Sequence, residues 1–318
     1  MARKAEADGL RLDEAARAGW LYYVAGNTQE EIARKLGISR QAAQRLVSLS
    51  ISERLIKVRL DHPIAKCLEL AAALKIRFDI RYCEIAPTDP ASTSSTLGIA
   101  QLAALELERW LRRPEPTVIG IGTGRTMRAV ADQMPPMECP QHKLVALVGT
   151  TKSDGSASFY DVIIRVSDMV RAPHYPMPLP AIARSVEELR LLTSLGSTQR
   201  VMELASRADV SFVGVGSIGE NSPMVQDGMV TREEAESMRR AGAVGEITGW
   251  AFDAAGRLLP DGVNQRVASA PLRRAEQRLV IGVAMGMSRR APLRGALAGQ
   301  LISGLVTDEA TAEFLLQR

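Results

Sequence analysis

The hydrophobic pattern of the chain changes character near residue 60. Ahead of that point apolar positions recur at helical spacing. The stretch LDEAARAGWLYYV, residues 12–24, carries an apolar stripe of Leu12, Ala16, Trp20, Tyr23 and Val24 and stops at Gly26-Asn27, which predicts a first helix. Thr28 then opens a second helix over residues 29–36, with Glu31 three positions on completing a T-x-x-E capping box and Gly37 closing it. Ser39 caps a third helix that begins RQAAQRLVSLS. Only Gly37 and Ile38 separate this cap from the second helix, so the two helices are expected to cross steeply.

Beyond residue 60 short apolar runs alternate with helical patterns. Strands are expected at residues 82–86, 117–121, 143–148, 162–166, 210–215, 280–283 and 305–307, with helices near 64–75, 95–112 and 127–133. Strands separated by helices predict a parallel sheet, hence an α/β domain. The expected organisation is an all-α domain over residues 1–60 and an α/β domain over 61–318, joined near 57–63. The Pro-rich stretch 173–180 reads as an ordered loop, and no internal repeat is visible.

Composition narrows the picture. A chain of 318 residues, 46% hydrophobic and 24% charged, is globular and long enough for two domains. Residues 1–60 hold 11 Lys+Arg against 7 Asp+Glu, while residues 61–318 hold 29 of each, so the whole excess of +4 sits at the N-terminus. That placement suits a segment that meets phosphates. Cys67, Cys83 and Cys139 are far apart and form no C-x-x-C pair, which argues against a disulfide framework or a zinc site. Neither a signal peptide nor an apolar run of membrane-spanning length is visible, so a soluble cytoplasmic protein without membrane partner is expected.

The N-terminal pattern is that of a helix-turn-helix. Ile32, Leu36, Ile38, Ala43 and Leu46 fall where they can close three helices on one core, and Ala33 permits close contact. Arg40, Gln41, Gln44 and Arg45 then point outward from the third helix, whose N-terminal end is the one that enters a major groove. Gln pairs with adenine in bidentate fashion and Arg with guanine or phosphate, so Gln41 and Gln44 are the candidate base readers. Thr28 and Gln29 open the second helix and Ser39 the third, where free N–H groups suit backbone phosphates. A helical hairpin with a solvated face explains fewer of these features.

Two glycine loops follow apolar strands. In VIGIGTGRT the loop Gly122-Thr123-Gly124-Arg125-Thr126 offers backbone amides, two hydroxyls and a guanidinium, equipment for a phosphate or several sugar hydroxyls; a plain βα turn is the alternative. Gly214-Val215-Gly216-Ser217-Ile218-Gly219 matches G-x-G-x-x-G, but the acids at the dinucleotide spacing, Glu233 and Glu234, fall in a helical pattern. Glu246 lies in a small-residue turn, GAVGEI, where it either accepts hydroxyl hydrogen bonds or sits on the surface. His62, His142 and His174 are isolated and read as structural. No catalytic residue, metal site or resident cofactor is expected.

Four blocks in order carry a family resemblance over nearly the whole chain: YYVAGNTQEEIARKLGISRQAAQRLV, IGIGTGRT, GAVGEITGWAFDAAGR and VIGVAMGMSRRAPLRGALAGQLISGLVTDEATAEFLL. The chain resembles the SorC family of sugar-binding bacterial transcriptional regulators, in the DeoR/SorC group. The resemblance implies a large doubly wound α/β effector domain, related in fold to sugar-phosphate isomerases and deaminases, which binds without chemistry in a protein that is usually a homotetramer. It implies a repressor or activator of a carbohydrate or polyol operon, with operator DNA and a sugar, sugar alcohol or phosphosugar as partners. Carried onto this sequence, the effector loop falls on Gly122, Thr123, Gly124, Arg125 and Thr126, and the pocket acid on Glu246, where Asp is common. The A-G-G-x-x-K block reads Ala284-Met285-Gly286-Met287-Ser288-Arg289 here, so Arg289 offers a forked contact in place of a compact ammonium. The rival expectation is a sugar-phosphate isomerase or nicotinamide-dependent dehydrogenase fused to a DNA-binding segment.

Overall fold

The computed structural model describes residues 2–53, 55–56, 64–88, 96–151, 156, 162–272, 274–275 and 278–317, with residues 2–9 in backbone alone. The chain divides into two compact units, Met1–His62 and Pro63–Arg318. The expected junction at 57–63, His62 included, lies outside the described residues.

The first unit is three helices, α1 (Ala2–Tyr23), α2 (Gln29–Leu36) and α3 (Arg40–Ser52). Ala18, Ile32, Ala33, Ala43 and Val47 form its core, with Leu21, Leu36, Ile38 and Leu46 packed around them. The capping box at α2 is complete: Glu31 N–H donates to Thr28 Oγ1 at 3.3 Å and Thr28 N–H to Glu31 Oε2 at 2.8 Å. Gly37 takes φ 66°, a left-handed turn that frees the chain to start α3 three residues later. The apolar stripe of α1 is not its buried face. Trp20 and Val24 are 54% and 65% exposed, and the helix packs instead through Ala15, Ala18 and Gly19. Small residues win because α1 and α3 approach closely: a Cβ on Gly19 would overlap the Ser50 side chain.

The second unit opens with α4 (Ala65–Phe78), β1 (Tyr82–Ala86), α5 (Leu97–Leu111), β2 (Val118–Ile121), α6 (Arg125–Gln133), β3 (Lys143–Ala146), α7 (Val162–Val170) and β4 (His174–Tyr175). It continues with α8 (Val186–Ser194), α9 (Gly196–Ser206), β5 (Val210–Gly214), β6 (Gly216–Ser217), α10 (Pro223–Gln226), α11 (Arg232–Arg240), β7 (Gly245–Ile247) and β8 (Trp250–Phe252). The last elements are β9 (Leu279–Val283), α12 (Arg290–Ala298), β10 (Gly304–Asp308) and α13 (Glu309–Leu316). The main sheet is parallel throughout, in the order β1-β10-β9-β5-β2-β3-β4.

Helices cover both faces of the sheet. Leu74 of α4, Leu293 of α12 and Leu315 of α13 share one core with Val145, Val213 and Leu305 of the strands. Leu107 of α5, Val130 of α6 and Val166 of α7 share the other with Ile119, Phe212 and Val306. From β2 the chain winds outward through β3 to β4; from β5 it winds the opposite way through β9 to β10. The sheet therefore reverses between β2 and β5, where a crevice opens beyond the strands' carboxyl ends.

Residues 162–166 are helix, not the expected strand. VIIRV is rich in β-branched residues, yet Val162, Ile163, Val166 and Val170 are buried and Ile164 is 45% exposed, a helical period that five residues are too short to reveal. The antiparallel sheet β6-β7-β8 was not expected, and its strands of two or three residues leave little pattern to read. Glu246 accordingly lies on strand β7 rather than in a turn.

Candidate functional site

The site is built where the sheet reverses. After β2 the chain runs through Gly122, Thr123 and Gly124 into α6, with Gly124 at φ 102°. Gly122 is there for packing. Its N–H donates to Phe212 O at 2.8 Å, and a Cβ would meet that oxygen at 3.1 Å and Val213 Cα at 3.2 Å, so any other residue would have to push β5 back by a few tenths of an ångström. Thr123, Gly124, Arg125 and Thr126 then line a cavity of about 110 Å³. Gly214, Val215 and Gly216 close it from the end of β5, Glu246, Thr248 and Gly249 from the β7–β8 hairpin, and Arg289 from the loop after β9.

Six of the seven expected effector residues thus share one cavity, and Gly122 stands behind it, against β5. Asp227, Gly216 and Thr248 also line it and were not expected from the sequence. For Gly216 a signal existed in the second glycine loop, but its reason is not a dinucleotide. Gly216–Ser217 pairs antiparallel with β7, and the next helix, α10, is a single turn. A Cβ on Gly216 would overlap Glu246 Oε1, so the glycine makes room for the acid. Glu233 and Glu234 lie on α11, where Glu234 completes a capping box with Thr231 and pairs with Arg266.

Each charged side chain in the cavity has a polar partner. Arg125 Nη2 donates to Gln226 Oε1 at 2.7 Å and approaches Asp227 Oδ1 at 3.5 Å. Arg289 Nη1 donates to Ser217 Oγ at 2.7 Å and to Ser288 Oγ at 3.0 Å. Glu246 Oε2 accepts the Gly249 N–H at 3.0 Å. Burial pushes the Glu246 carboxyl above the ordinary carboxylate range, against the pull of the Gly249 amide and Arg289. Burial also lowers Arg289, which the field of Glu246 partly restores. Guanidinium, carboxylate, hydroxyl and amide groups converge on a space walled by Val148, Val215 and Met224, an arrangement that can hold a small polyhydroxylated or anionic molecule.

The second candidate surface is on the three-helix unit. Arg40, Gln41, Gln44 and Arg45 are all exposed along α3, on the side away from Ala43 and Val47. Ser39 is exposed at the start of α3, but its Oγ accepts the Ala42 N–H at 3.2 Å and is committed to the cap. Thr28 is likewise committed, through Glu31, and Gln29 beside it is half-exposed. The seven residues come from the starts of α2 and α3 and the first turns of α3.

The histidines lie elsewhere. His142 is buried, its Nδ1 accepting the Thr117 N–H at 3.1 Å and its Nε2 3.1 Å from Leu111 O, which joins the loop before β3 to the end of α5. His174 Nδ1 is 2.7 Å from Ser167 Oγ. Among the described residues no His, Cys, Asp or Glu cluster could hold a metal ion, and no helix is long and apolar enough to cross a membrane.

Comparison with known proteins places the chain as a whole. Residues 62–317 match the Sugar-bind family, a sugar-binding domain. The chain is 30% identical over 302 residues to the erythritol catabolism regulatory protein EryD of Brucella abortus, covering 95% of this chain and 96% of that protein. It is 29% identical over 324 residues to the transcriptional regulator LsrR of Klebsiella pneumoniae, covering 97% and 95%. Its fold matches the full-length sorbitol operon regulator SorC of Klebsiella pneumoniae with a TM-score of 0.70 at 24% identity, covering 96% of this chain and 99% of that one.

Proposed function

The chain belongs to the SorC family of sugar-binding transcriptional regulators, and from this we propose that it regulates a carbohydrate or polyol operon by binding operator DNA under control of a small effector. The observation that carries the reading is the cavity at the sheet reversal, where Thr123, Arg125, Thr126, Glu246 and Arg289 meet although they come from three distant parts of the chain. The effector is a sugar, sugar alcohol or phosphosugar. Carboxylates accept hydrogen bonds from its hydroxyls, while the guanidinium groups and the α6 N-terminus favour oxygen-rich or anionic groups.

Binding without turnover is the reading the lining supports. It holds no His, Cys or Lys, and its two acids are engaged, Glu246 by a backbone amide and Asp227 by Arg125. An isomerase or dehydrogenase needs a base placed to move a proton; Glu246, raised by burial with one oxygen held by an amide, is the lining residue that could serve, so turnover of a sugar phosphate would overturn this reading.

On the three-helix unit, Gln41 and Gln44 read base edges, Arg40 and Arg45 reach bases or phosphates, and the helix starts at Thr28, Gln29 and Ser39 rest on the backbone. A homotetramer would present these units in pairs to half-sites about 34–36 Å apart, or multiples of that spacing, in a palindromic operator in the cytoplasm. Effector and operator are coupled by about 1–3 kcal/mol. Calorimetric titration of the effector with and without operator tests this directly: affinity should change five- to about 150-fold, and equal affinities would remove the regulatory link. Replacing Gln41 and Gln44 together by Ala should erase preference for operator over random DNA, and retained preference would assign base reading elsewhere.

A further inference from the structure

The hairpin between β7 and β8 contains an expensive residue. Ile247 pairs with Trp250, so Thr248 and Gly249 alone make the turn. Both sit at positive φ, 53° and 91°, as a two-residue turn of this kind requires. Glycine, asparagine and aspartate accept that conformation; a β-branched side chain does so only under strain. Thr248 is the one β-branched residue at positive φ among the described residues. Strain of this kind persists where the side chain is needed.

Two cavities meet at this residue. The first is the effector cavity of about 110 Å³. The second, about 280 Å³, has apolar walls at Leu147, Val213, Ile247 and Val280 and polar ones at Ser211 and Arg274. Thr248 is the only described residue that lines both. The same turn is tied to the effector cavity's acid, because the Gly249 N–H holds Glu246 Oε2. Thr248 Oγ1 donates its own proton to Ile247 O at 2.7 Å, which fixes the side chain and leaves the oxygen able to accept from a ligand hydroxyl.

We propose that Thr248 determines the length of the effector. Resting on the reading of the first cavity as the effector site, its side chain is the stop that closes that cavity against the larger one, whose Ser211 and Arg274 could meet the hydroxyls of a longer chain. The wild-type pocket then takes a short linear polyol or its terminal phosphate. Glycine would relieve the strain but join the two spaces, and the loss of length selection explains why threonine stands there.

The test uses the full chain, wild type, Thr248→Gly and Thr248→Asn, titrated calorimetrically with erythritol, ribitol, sorbitol and a seven-carbon polyol, each also as the terminal phosphate. Asparagine keeps similar bulk while accepting positive φ, so it separates strain from size. Both variants should melt at or above the wild-type temperature. Wild type and Thr248→Asn should bind the shorter probes best; Thr248→Gly should shift the preference toward the longer ones by about tenfold, the scale of one or two methylenes in a pocket. An unchanged length order in Thr248→Gly, or the same shift in Thr248→Asn, overturns the role of Thr248 while leaving the effector site in place. Failure of the wild type to bind any probe overturns the effector reading itself, and this proposal with it.

Discussion

The two units hold their working side chains in opposite ways. In the three-helix unit the candidate contacts, from Thr28 to Arg45, come from one short stretch and are exposed or half-exposed over a core of five buried hydrophobic residues. In the α/β unit the cavity draws on loops after β2, β5 and β9 and on the β7–β8 hairpin, and two separate cores position them. A local surface depends on its own helix caps and a few apolar contacts. An assembled pocket depends on the topology of the sheet, so each unit should fail in its own manner.

The largest expected effect tests that independence. Ile32 is fully buried in the small core, and Ile32→Ala should remove about 2–5 kcal/mol from a unit with little stability to spare. Operator binding in a gel-shift or anisotropy assay should be lost, while calorimetric effector affinity stays within twofold of wild type. Loss of both would show that the units do not fold independently and break the contrast.

Next in size is a change confined to the pocket. A Cβ at Gly216 would overlap Glu246 Oε1, which is the end of a movable side chain rather than backbone. Gly216→Ala should therefore leave melting near wild type but swing the carboxylate away. Effector affinity should fall by about ten- to a hundredfold, the value of a charged hydrogen bond. Unchanged affinity would mean that Glu246 takes no part in holding the ligand.

This contrast also explains what the sequence made legible. The capping box at Thr28, the turn at Gly37 and the outward set Arg40, Gln41, Gln44 and Arg45 are local signals, and each stands in the structure where the spacing puts it. Six cavity residues follow from the glycine loop and the family resemblance, whereas spacing alone leaves Glu246 a surface alternative. Asp227 and Thr248 were missed because nothing local marks them: one reaches the cavity beside Arg125 and the other through a two-residue hairpin. The reading of 162–166 as strand failed because five residues cannot separate the two periods, and packing against the sheet decided for helix. The α1 stripe misled because close helix approach selected alanine and glycine over the larger residues.

A smaller effect sharpens the local side of the contrast. Thr28→Ala removes one half of the capping box and should cost the three-helix unit about 1 kcal/mol. Thr28→Ser, which can rebuild the same bonds, should recover most of it. Operator affinity should fall only as far as the unit's folding does, measured by circular dichroism alongside binding; a larger loss would give the Thr28 hydroxyl a direct part in the DNA contact.

The smallest effect is one of pH, and its sign differs between the units. Glu31 is held below the ordinary carboxylate range by the Thr28 amide and hydroxyl, so its contribution is present above that range and fades as the pH falls through the lowered value. Glu246 is raised by burial, so the folded chain binds its proton more tightly than the unfolded chain does. Its contribution is full below the ordinary range and is withdrawn as the pH climbs through the raised value. Glu246→Gln cannot ionise and should flatten the decline of the α/β unit's thermal midpoint on the alkaline side of the ordinary carboxylate range. Glu31→Gln should flatten the acid-side decline of the three-helix unit instead. If Glu246→Gln left the α/β profile unchanged, the carboxylate would have to be solvated in the absence of effector, and the pocket would be assembled by the ligand rather than by the sheet.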